Sequence, residues 1–345
     1  MRVLGLDIGG ANLKAADGDE RAVSVPFALW KNPAGLAAAL GELCARFEPA
    51  DRFAVTMTGE LCDCFETKAE GVAHILDAVD EVANGRPVWV WQTSGEFVDP
   101  QTAREFWQLT AAANWHATAT FVGRCVPEGT ALLIDMGSTT TDLIPLEDGV
   151  PVPTGRTDLE RLKSRELIYT GVGRTPLASL WPVAIGTGDG REVEICPAAE
   201  LFATTHDLYL ISGEVPEEPT NLNTADGRPA TAEHARTRVA KMALADRTEL
   251  TDRQIDRLAA EFRAKQCQLV RHTLEVQNAL TERVFDHVLF AGAGRFLGPD
   301  LIGDPVRRVA GLESATPIDL SDLLSPAVSA GLPAHAVARL CDERC

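Results

Sequence analysis

Two stretches of this chain end an apolar run on an aspartate and follow it at once with residues suited to an anion. The first is V-L-G-L-D-I-G-G-A-N-L-K over 3–14, which places Asp7 at its turn. The second is A-L-L-I-D-M-G-S-T-T-T-D-L over 131–143, which places Asp135. A carboxylate at a strand end can hold a metal ion or its water, and a glycine- or hydroxyl-rich turn can wrap backbone N–H groups around a phosphate. In the first turn Gly9 and Gly10 permit close approach of the backbone, while Asn12 and Lys14 add polar contacts. In the second, Gly137 is followed by Ser138, Thr139 and Thr140, whose hydroxyls stand beside their own amides as further donors. Either turn alone is also what a tight hairpin needs. Two of them, 128 positions apart from Asp7 to Asp135, point to a duplicated domain with a phosphate–metal site between the halves.

Other groups stand where a plain connection has no need of them. The run H-V-L-F-A-G-A-G-R-F-L-G over 287–298 leads a strand into Gly292 and Gly294, a turn that fits either an adenosine seat or a helix starting close to a sheet. T-M-T-G-E-L-C-D-C-F over 56–65 puts Glu60 and Asp63 in a turn, and Asn114-Trp115-His116 sets an imidazole against an aromatic ring. Arg174 ends Y-T-G-V-G-R-T-P over 169–176 and is a natural clamp for a carboxylate or phosphate. His206-Asp207 precedes Leu208-Tyr209-Leu210; its plain structural reading is a helix cap or a paired core histidine.

The elements that must position these groups alternate. Val3 to Ile8, Phe53 to Met57 and Pro87 to Trp91 read as strands, and Pro33 to Phe47, Lys68 to Ala83 and Ala103 to Ala113 as helices. Such alternation implies a sheet covered on its faces by helices. The second half restarts at Ala131 to Met136, continues through a hairpin of Leu143 to Leu146 and Val150 to Val152, and places a turn at 186–190 before a short strand, Val193 to Ile195. Residues 212–230 read as a long irregular loop of functional or lid type. Thr251 and Gln254 form a capping box that opens a helix with a core stripe of Ile255, Leu258, Phe262, Leu269, Thr273, Val276 and Leu280. Cys267 and His272 read as packing residues of that helix, and Ser325 to Leu340 as a final Ala-rich helix.

A chain of 345 residues accommodates two domains, divided here as 1–128 and 129–345, with the loop at 212–230 inserted in the second. The formal charge of −18 opposes nucleic acid and anionic membrane, both of which require a positive surface. No apolar run is long enough to span a bilayer, and Met1 leads directly into a strand without a signal-peptide pattern, so a cytoplasmic protein is expected. The eight cysteines lack paired C-x-x-C spacing and read as thiols, not as a zinc site.

Taken in the order Asp7 turn, Asp135 turn, Gly292 turn, the chain resembles the actin, sugar kinase and Hsp70 superfamily. D-I-G-G-A-N-L-K, T-G-E-L-C-D-C-F, N-W-H-A, the hydroxyl run after Asp135, Y-T-G-V-G-R-T-P, H-D-L-Y-L and T-A-D-G-R-P are together similar to its hydantoinase/oxoprolinase-related branch. Within that branch they resemble the group tied to tetrahydromethanopterin-linked one-carbon metabolism and methanofuran biosynthesis. The resemblance spans nearly the whole chain. It implies an α/β fold of duplicated ribonuclease H-like, actin-like ATPase domains with a cleft between them.

It also implies a transferase, in which an aminomethylfuran-methyl diphosphate loses pyrophosphate to the phenol oxygen of a tyramine or tyrosine derivative. Asp7 and Asp135 would hold Mg²⁺ or another divalent cation, which makes Asp135 a catalytic residue as well. Gly9, Gly10, Asn12, Lys14, Gly137, Ser138, Thr139 and Thr140 would cradle the diphosphate, with Glu60, Gly292 and Gly294 adding substrate contacts. His206 with Asp207 would take the phenol proton, and Arg174 would bind the acceptor's carboxylate. The implied partners are these small molecules, with neither nucleic acid nor membrane; a homodimer is compatible with the sequence. Gly173 departs from the branch, where an arginine is usual, and thins the clamp at Arg174. The chain is also much shorter than full hydantoinase or oxoprolinase subunits, which speaks against ring hydrolysis. The alternatives are an ATP-dependent kinase or hydantoinase/oxoprolinase-like hydrolase, which would seat adenosine at Gly292–Gly294, and a nucleotide-sensing scaffold.

Overall fold

The computed structural model describes residues 1–186, 191–303 and 306–345. Past Gly186, the turn expected at 186–190 therefore lies outside the described residues. The first half contains β1 (Val3–Ile8), β2 (Asn12–Ala16), β3 (Ala22–Pro26), α1 (Leu36–Cys44), β4 (Arg52–Met57), α2 (Lys68–Ala83), β5 (Val88–Trp91) and β6 (Phe97–Val98), followed by α3 (Pro100–Glu105), α4 (Trp107–Thr110) and α5 (Asn114–Val122). The second half begins with β7 (Thr130–Met136), β8 (Thr141–Glu147), β9 (Val150–Pro151), α6 (Asp158–Ser164) and β10 (Leu167–Ile168). It continues through a small hairpin of β11 (Val183–Gly186) and β12 (Glu192–Ile195), then α7 (Thr205–Ser212), α8 (Ala232–Met242) and α9 (Asp252–Thr281). β13 (His287–Ala291), α10 (Gly298–Leu301), α11 (Val306–Val309), β14 (Thr316–Asp319), α12 (Pro326–Ala330) and α13 (Leu332–Arg344) complete the chain.

The two main sheets follow one plan. The first has the order β3-β2-β1-β4-β5-β6 and the second β10-β8-β7-β13-β14. In each, three antiparallel strands are followed by two that run parallel to the central one, β4 and β5 beside β1, β13 and β14 beside β7. This is the duplicated ribonuclease H-like α/β fold, and it sets Asp7 and Asp135 at matching strand ends.

The central strands read as continuous apolar runs because both faces of each sheet are covered. Leu4, Leu6 and Ile8 pack under Leu36 and Leu40 of α1 and Ile75 and Leu76 of α2. On the opposite face Gly5 lies beneath α13, where a Cβ would come within 2.0 Å of the Ala334 carbonyl oxygen. The small residues of α13 allow this contact, so the last helix crosses back onto β1 and β4. Most of its buried residues pack with the first half, while Leu332 joins the core of the second.

Three helical expectations change in the structure. The helix expected from Ala103 to Ala113 breaks at Phe106 (φ −104°, ψ 47°) and ends at left-handed Ala112 (φ 49°), after which α5 starts afresh. The final helix divides at Gly331 into α12 and α13. On α9 the stripe of Ile255, Leu258 and Phe262 is buried as expected, yet Leu269 and Leu280 are exposed, and so is His272. Gln266 and Gln277 take the buried positions because they hydrogen-bond backbone carbonyls, Gly171 O at 2.8 Å and Leu143 O at 3.1 Å. Cys267 is buried, as read from the sequence.

Candidate active site

The first turn closes through a hydrogen bond from Gly9 N–H to Asn12 O (3.0 Å). Its outer carbonyls are anchored, Gly10 O accepting from Leu29 and Ala11 O from Phe27, whereas the Gly10 and Ala11 amides donate to no acceptor among the described residues. Gly10 also packs against Cys62, whose Sγ would lie 2.7 Å from an added Cβ. At the base of the turn Asp7 is 2% exposed. Its Oδ2 accepts from Lys14 Nζ at 3.0 Å, directly opposite in β2, but its Oδ1 has no partner. Thr56, level with Asp7 on β4, is also buried with an unpartnered Oγ1.

The second turn repeats the same closure, Gly137 N–H to Thr140 O at 2.8 Å. Here Gly137 O accepts from Val172, and Ser138 O from Gly173 and Arg174, so the tip is clamped by the segment 171–174. Gly171 is required there, since a Cβ would approach Gly137 O to 2.5 Å. Gln266 fixes that segment from behind by donating to Thr170 Oγ1 at 3.0 Å and to Gly171 O. The amides of Ser138, Thr139 and Thr140 donate to no acceptor among the described residues. Each turn thus presents free N–H groups beside an aspartate, the arrangement that binds phosphate.

Asp135 retains some surface, yet enough protein surrounds it to push its carboxyl up to about 7, burial acting first and the negative charge of Asp142 second. Asp7 adds to this shift and Lys14 opposes it. The charges of Lys14 and Asp7 thus act on Asp135 from the first turn. Asp142 stands opposite Asp135 in β8 and is held by Arg161 Nη2 at 2.8 Å. Arg161 itself is buried, with its guanidinium 3.8 Å from the centre of the Trp115 ring.

Gly292 and Gly294 meet a packing requirement. Gly292 has φ 79°, and a Cβ on it would fall 2.3 Å from Met136 O and 2.5 Å from Asp135 Oδ1. Gly294 donates to Met136 O at 2.8 Å, and its own Cβ would strike the Met136 side chain at 2.6 Å. Of the two sequence readings of this turn, close approach to a sheet accounts for both glycines.

Around the cleft, Glu60 is 1% exposed with an unpartnered Oε2. Burial pushes its carboxyl up to about 7, Lys68 opposing the shift and Asp158 adding to it. Lys68 Nζ and Asp158 Oδ2 form an ion pair of 2.8 Å that joins the starts of α2 and α6, one from each half. Arg174 also reaches between the halves, its guanidinium 5.1 Å from the centre of the Trp30 ring. Asp63 is exposed at the rim.

His206 and Asp207 are placed differently. Asp207 closes the capping box of α7, its Oδ2 accepting from Thr204 N–H at 2.9 Å, while Oδ1 accepts from Arg238 Nε at 2.8 Å. Buried Arg238 also donates to Asp226 at 3.0 Å and so pins the irregular stretch between α7 and α8. His206 is half-buried, which lowers its pKa; the charges that act on it are Asp207, Glu218 and Arg238, not those of the two turns. The adjacent Thr205 Oγ1 donates to Gly171 O at 2.7 Å and ties α7 to the clamp behind Ser138.

A profile of the hydantoinase/oxoprolinase family matches residues 51–310. A protein of Methanocaldococcus jannaschii named (4-{4-[2-(gamma-L-glutamylamino)ethyl]phenoxymethyl}furan-2-yl)methanamine synthase is 32% identical, over 100% of this chain and 98% of that protein. The chain belongs to the hydantoinase/oxoprolinase family. A Methanococcus vannielii protein of the same name is 28% identical over 64% of this chain and 95% of its own length. Nucleotide-free acetone carboxylase superposes with a TM-score of 0.50 at 10% identity, covering 98% of this chain and 70% of that one, a likeness of fold. In this hydantoinase/oxoprolinase-family chain, no helix among the described residues is long and apolar enough to cross a membrane.

The family resemblance implies a divalent cation, and the residues fit one of a particular kind. No set of three His, Cys, Asp or Glu side chains that could hold a metal occurs among the described residues. Mg²⁺ is commonly held by one or two carboxylates together with substrate phosphate and water, and the free Asp7 Oδ1, whose carboxylate charge acts on Asp135, suits that mode. Lys68, Arg161 and Asp158 escaped the sequence reading of the site, and Thr56 and Asp142 fell within its motifs without a role. Lys68 carried a signal, a cation at the first position of a helix where the dipole favours anions. Asp158, an ordinary acid in a first turn, carried none.

Proposed function

We propose that this member of the family joins an aminomethylfuran-methyl diphosphate to the phenol oxygen of a tyramine- or tyrosine-like acceptor, a transferase step of methanofuran-type biosynthesis. The observation that carries this reading is the pair of opposed turns with free amides, each rooted on an aspartate. The full-length relative's name supplies the aryloxymethyl-furan product. The Gly10, Ala11, Ser138, Thr139 and Thr140 amides and Lys14 receive the diphosphate, and Arg174, whose own N–H anchors the second turn, lies at the phosphate end. As the methylene C–O bond breaks, its electron pair leaves with pyrophosphate and the phenol oxygen forms the new C–O bond. Mg²⁺, held by Asp7 and Asp135, would neutralise charge on the leaving group.

The phenol proton passes to Glu60. Its carboxyl is buried, unpartnered on Oε2 and poised near neutral pH, the condition for an efficient general base. His206 lies under the charges of Asp207, Glu218 and Arg238, and Asp207 is committed to Arg238 and the cap; we assign both a positioning role.

The test is to incubate the protein with the furanmethyl diphosphate, a tyramine derivative and Mg²⁺ in the absence of nucleotide. Release of pyrophosphate with an ether seen by mass spectrometry is the expected result. A phosphorylated acceptor, or product only with ATP, would replace the transferase by the ATP-dependent reading.

A further inference from the structure

Beside α5, on the side of Thr93 and His116, the halves flank a second, open recess of about 720 Å³. One wall is the apolar stretch Val150–Pro153; the others carry Arg124, Arg156 and Arg344 with His116 and Thr93. None of its described lining residues is acidic, in a chain whose formal charge is −18. Arg124 is neutralised by Glu343, to which it donates at 2.7 Å. Arg344 donates to Gly95 O at 3.0 Å and lies over the Trp91 ring; its charge acts on Glu343, but it forms no ion pair among the described residues. Arg156 is exposed, its charge acts on His116, and its guanidinium makes no ion pair among the described residues. Thr93 is 2% exposed with an unpartnered Oγ1, a buried polar group that normally has a partner. Burial and the nearby arginines push His116 down to about 4, so the ring is neutral at ordinary pH and keeps one N–H to donate.

Charge, an orphaned hydroxyl and an apolar wall describe a seat for a small anion on an apolar arm. Its position says which one. Arg156 lies two residues before Asp158, which pairs with Lys68 beside Glu60. His116 stands in the first turn of α5, four residues after Ala112, whose backbone hydrogen-bonds the Glu60 carboxyl. Arg156 on one wall and His116 on another are thus joined by short stretches of chain to groups that act on Glu60, the residue assigned the phenol proton.

We propose that this recess binds the carboxylate of an amino-acid arm on the phenolic acceptor, with Arg156, Arg344 and Thr93 as its ligands. The inference rests on the reading under Proposed function, and the γ-glutamylamino group in the relative's name is an arm of that class. It also relieves Arg174, at the phosphate end, of the carboxylate-binding role expected from the sequence.

The experiment compares γ-glutamyltyramine with tyramine as acceptors for wild type, Arg156→Ala and Arg156→Lys. Arg156→Ala should lower the preference for the glutamyl acceptor, as the ratio of kcat/KM values, by about tenfold or more, the worth of one charge-assisted hydrogen bond. Arg156→Lys should restore part of it. An unchanged ratio would overturn the proposal. Should wild type form no ether with either acceptor, the transferase reading fails, and calorimetric binding of γ-glutamyltyramine still decides the recess. Binding weakened about tenfold by Arg156→Ala supports it, and binding that is absent or unaffected sinks it.

Discussion

The two hairpin turns share a topology, a closing hydrogen bond and an aspartate, yet they differ in the residue opposite that aspartate. Asp7 faces Lys14, whereas Asp135 faces Asp142. The first carboxylate is compensated at 3.0 Å, and the second is burdened by a like charge that helps to push it up to about 7. Duplication supplied the scaffold twice, and divergence at one register position made the charges unequal. A cation and a polyanion placed between the turns meet one balanced and one charge-rich wall, and the charge-rich wall gains most from the cation.

Loss of either aspartate is the most severe test of treating the turns as one site. Asp7→Asn and Asp135→Asn should each abolish turnover while leaving the protein folded, as followed by pyrophosphate release and circular dichroism. Activity above about a tenth of wild type, within roughly 1.4 kcal/mol in the barrier, would show that the turns do not share a ligand.

Next comes the proton. Glu60→Gln should reduce kcat about a hundredfold, the scale of general-base catalysis, with diphosphate binding largely kept. His206→Ala should cost less. The reverse order would move the base from the first half to the second.

The charge difference also has a pH signature. A carboxyl raised in the folded state holds a proton that the unfolded chain releases, so its stabilisation is full below the ordinary carboxylate range and is lost as pH rises to about 7. Melting temperature should therefore fall between about pH 4 and 7 through Asp135 and Glu60. Asp142→Asn removes a like charge beside Asp135 and should make that slope shallower. An unaltered slope would mean that Asp142 does not set the state of Asp135.

The smallest effects should come from the hydroxyls. If the amides of the second turn carry the diphosphate, Ser138→Ala and Thr139→Ala should each weaken its binding only about fivefold, near 1 kcal/mol. A loss of a hundredfold in calorimetry would make the side chains, not the backbone, the cradle.

What the sequence determined by itself is local. Asp7 and Asp135 at strand ends, their glycine and hydroxyl turns, the span of α2 and the capping box of α9 all follow from neighbours within a few residues, because periodicity and turn chemistry act at that range. The repeated pattern was enough to indicate a duplicated α/β fold. Only the tertiary structure decided which polar groups meet. It brought Lys68 to Asp158 across 90 positions, gave α13 to the first sheet through Gly5, and turned Gly292 into a packing requirement against Met136. It bound Asp207 to Arg238 and left Glu60 without a partner on Oε2. Burial and long-range pairing set the desolvation and charge around a carboxyl, and neither quantity exists in a chain until its distant segments pack together.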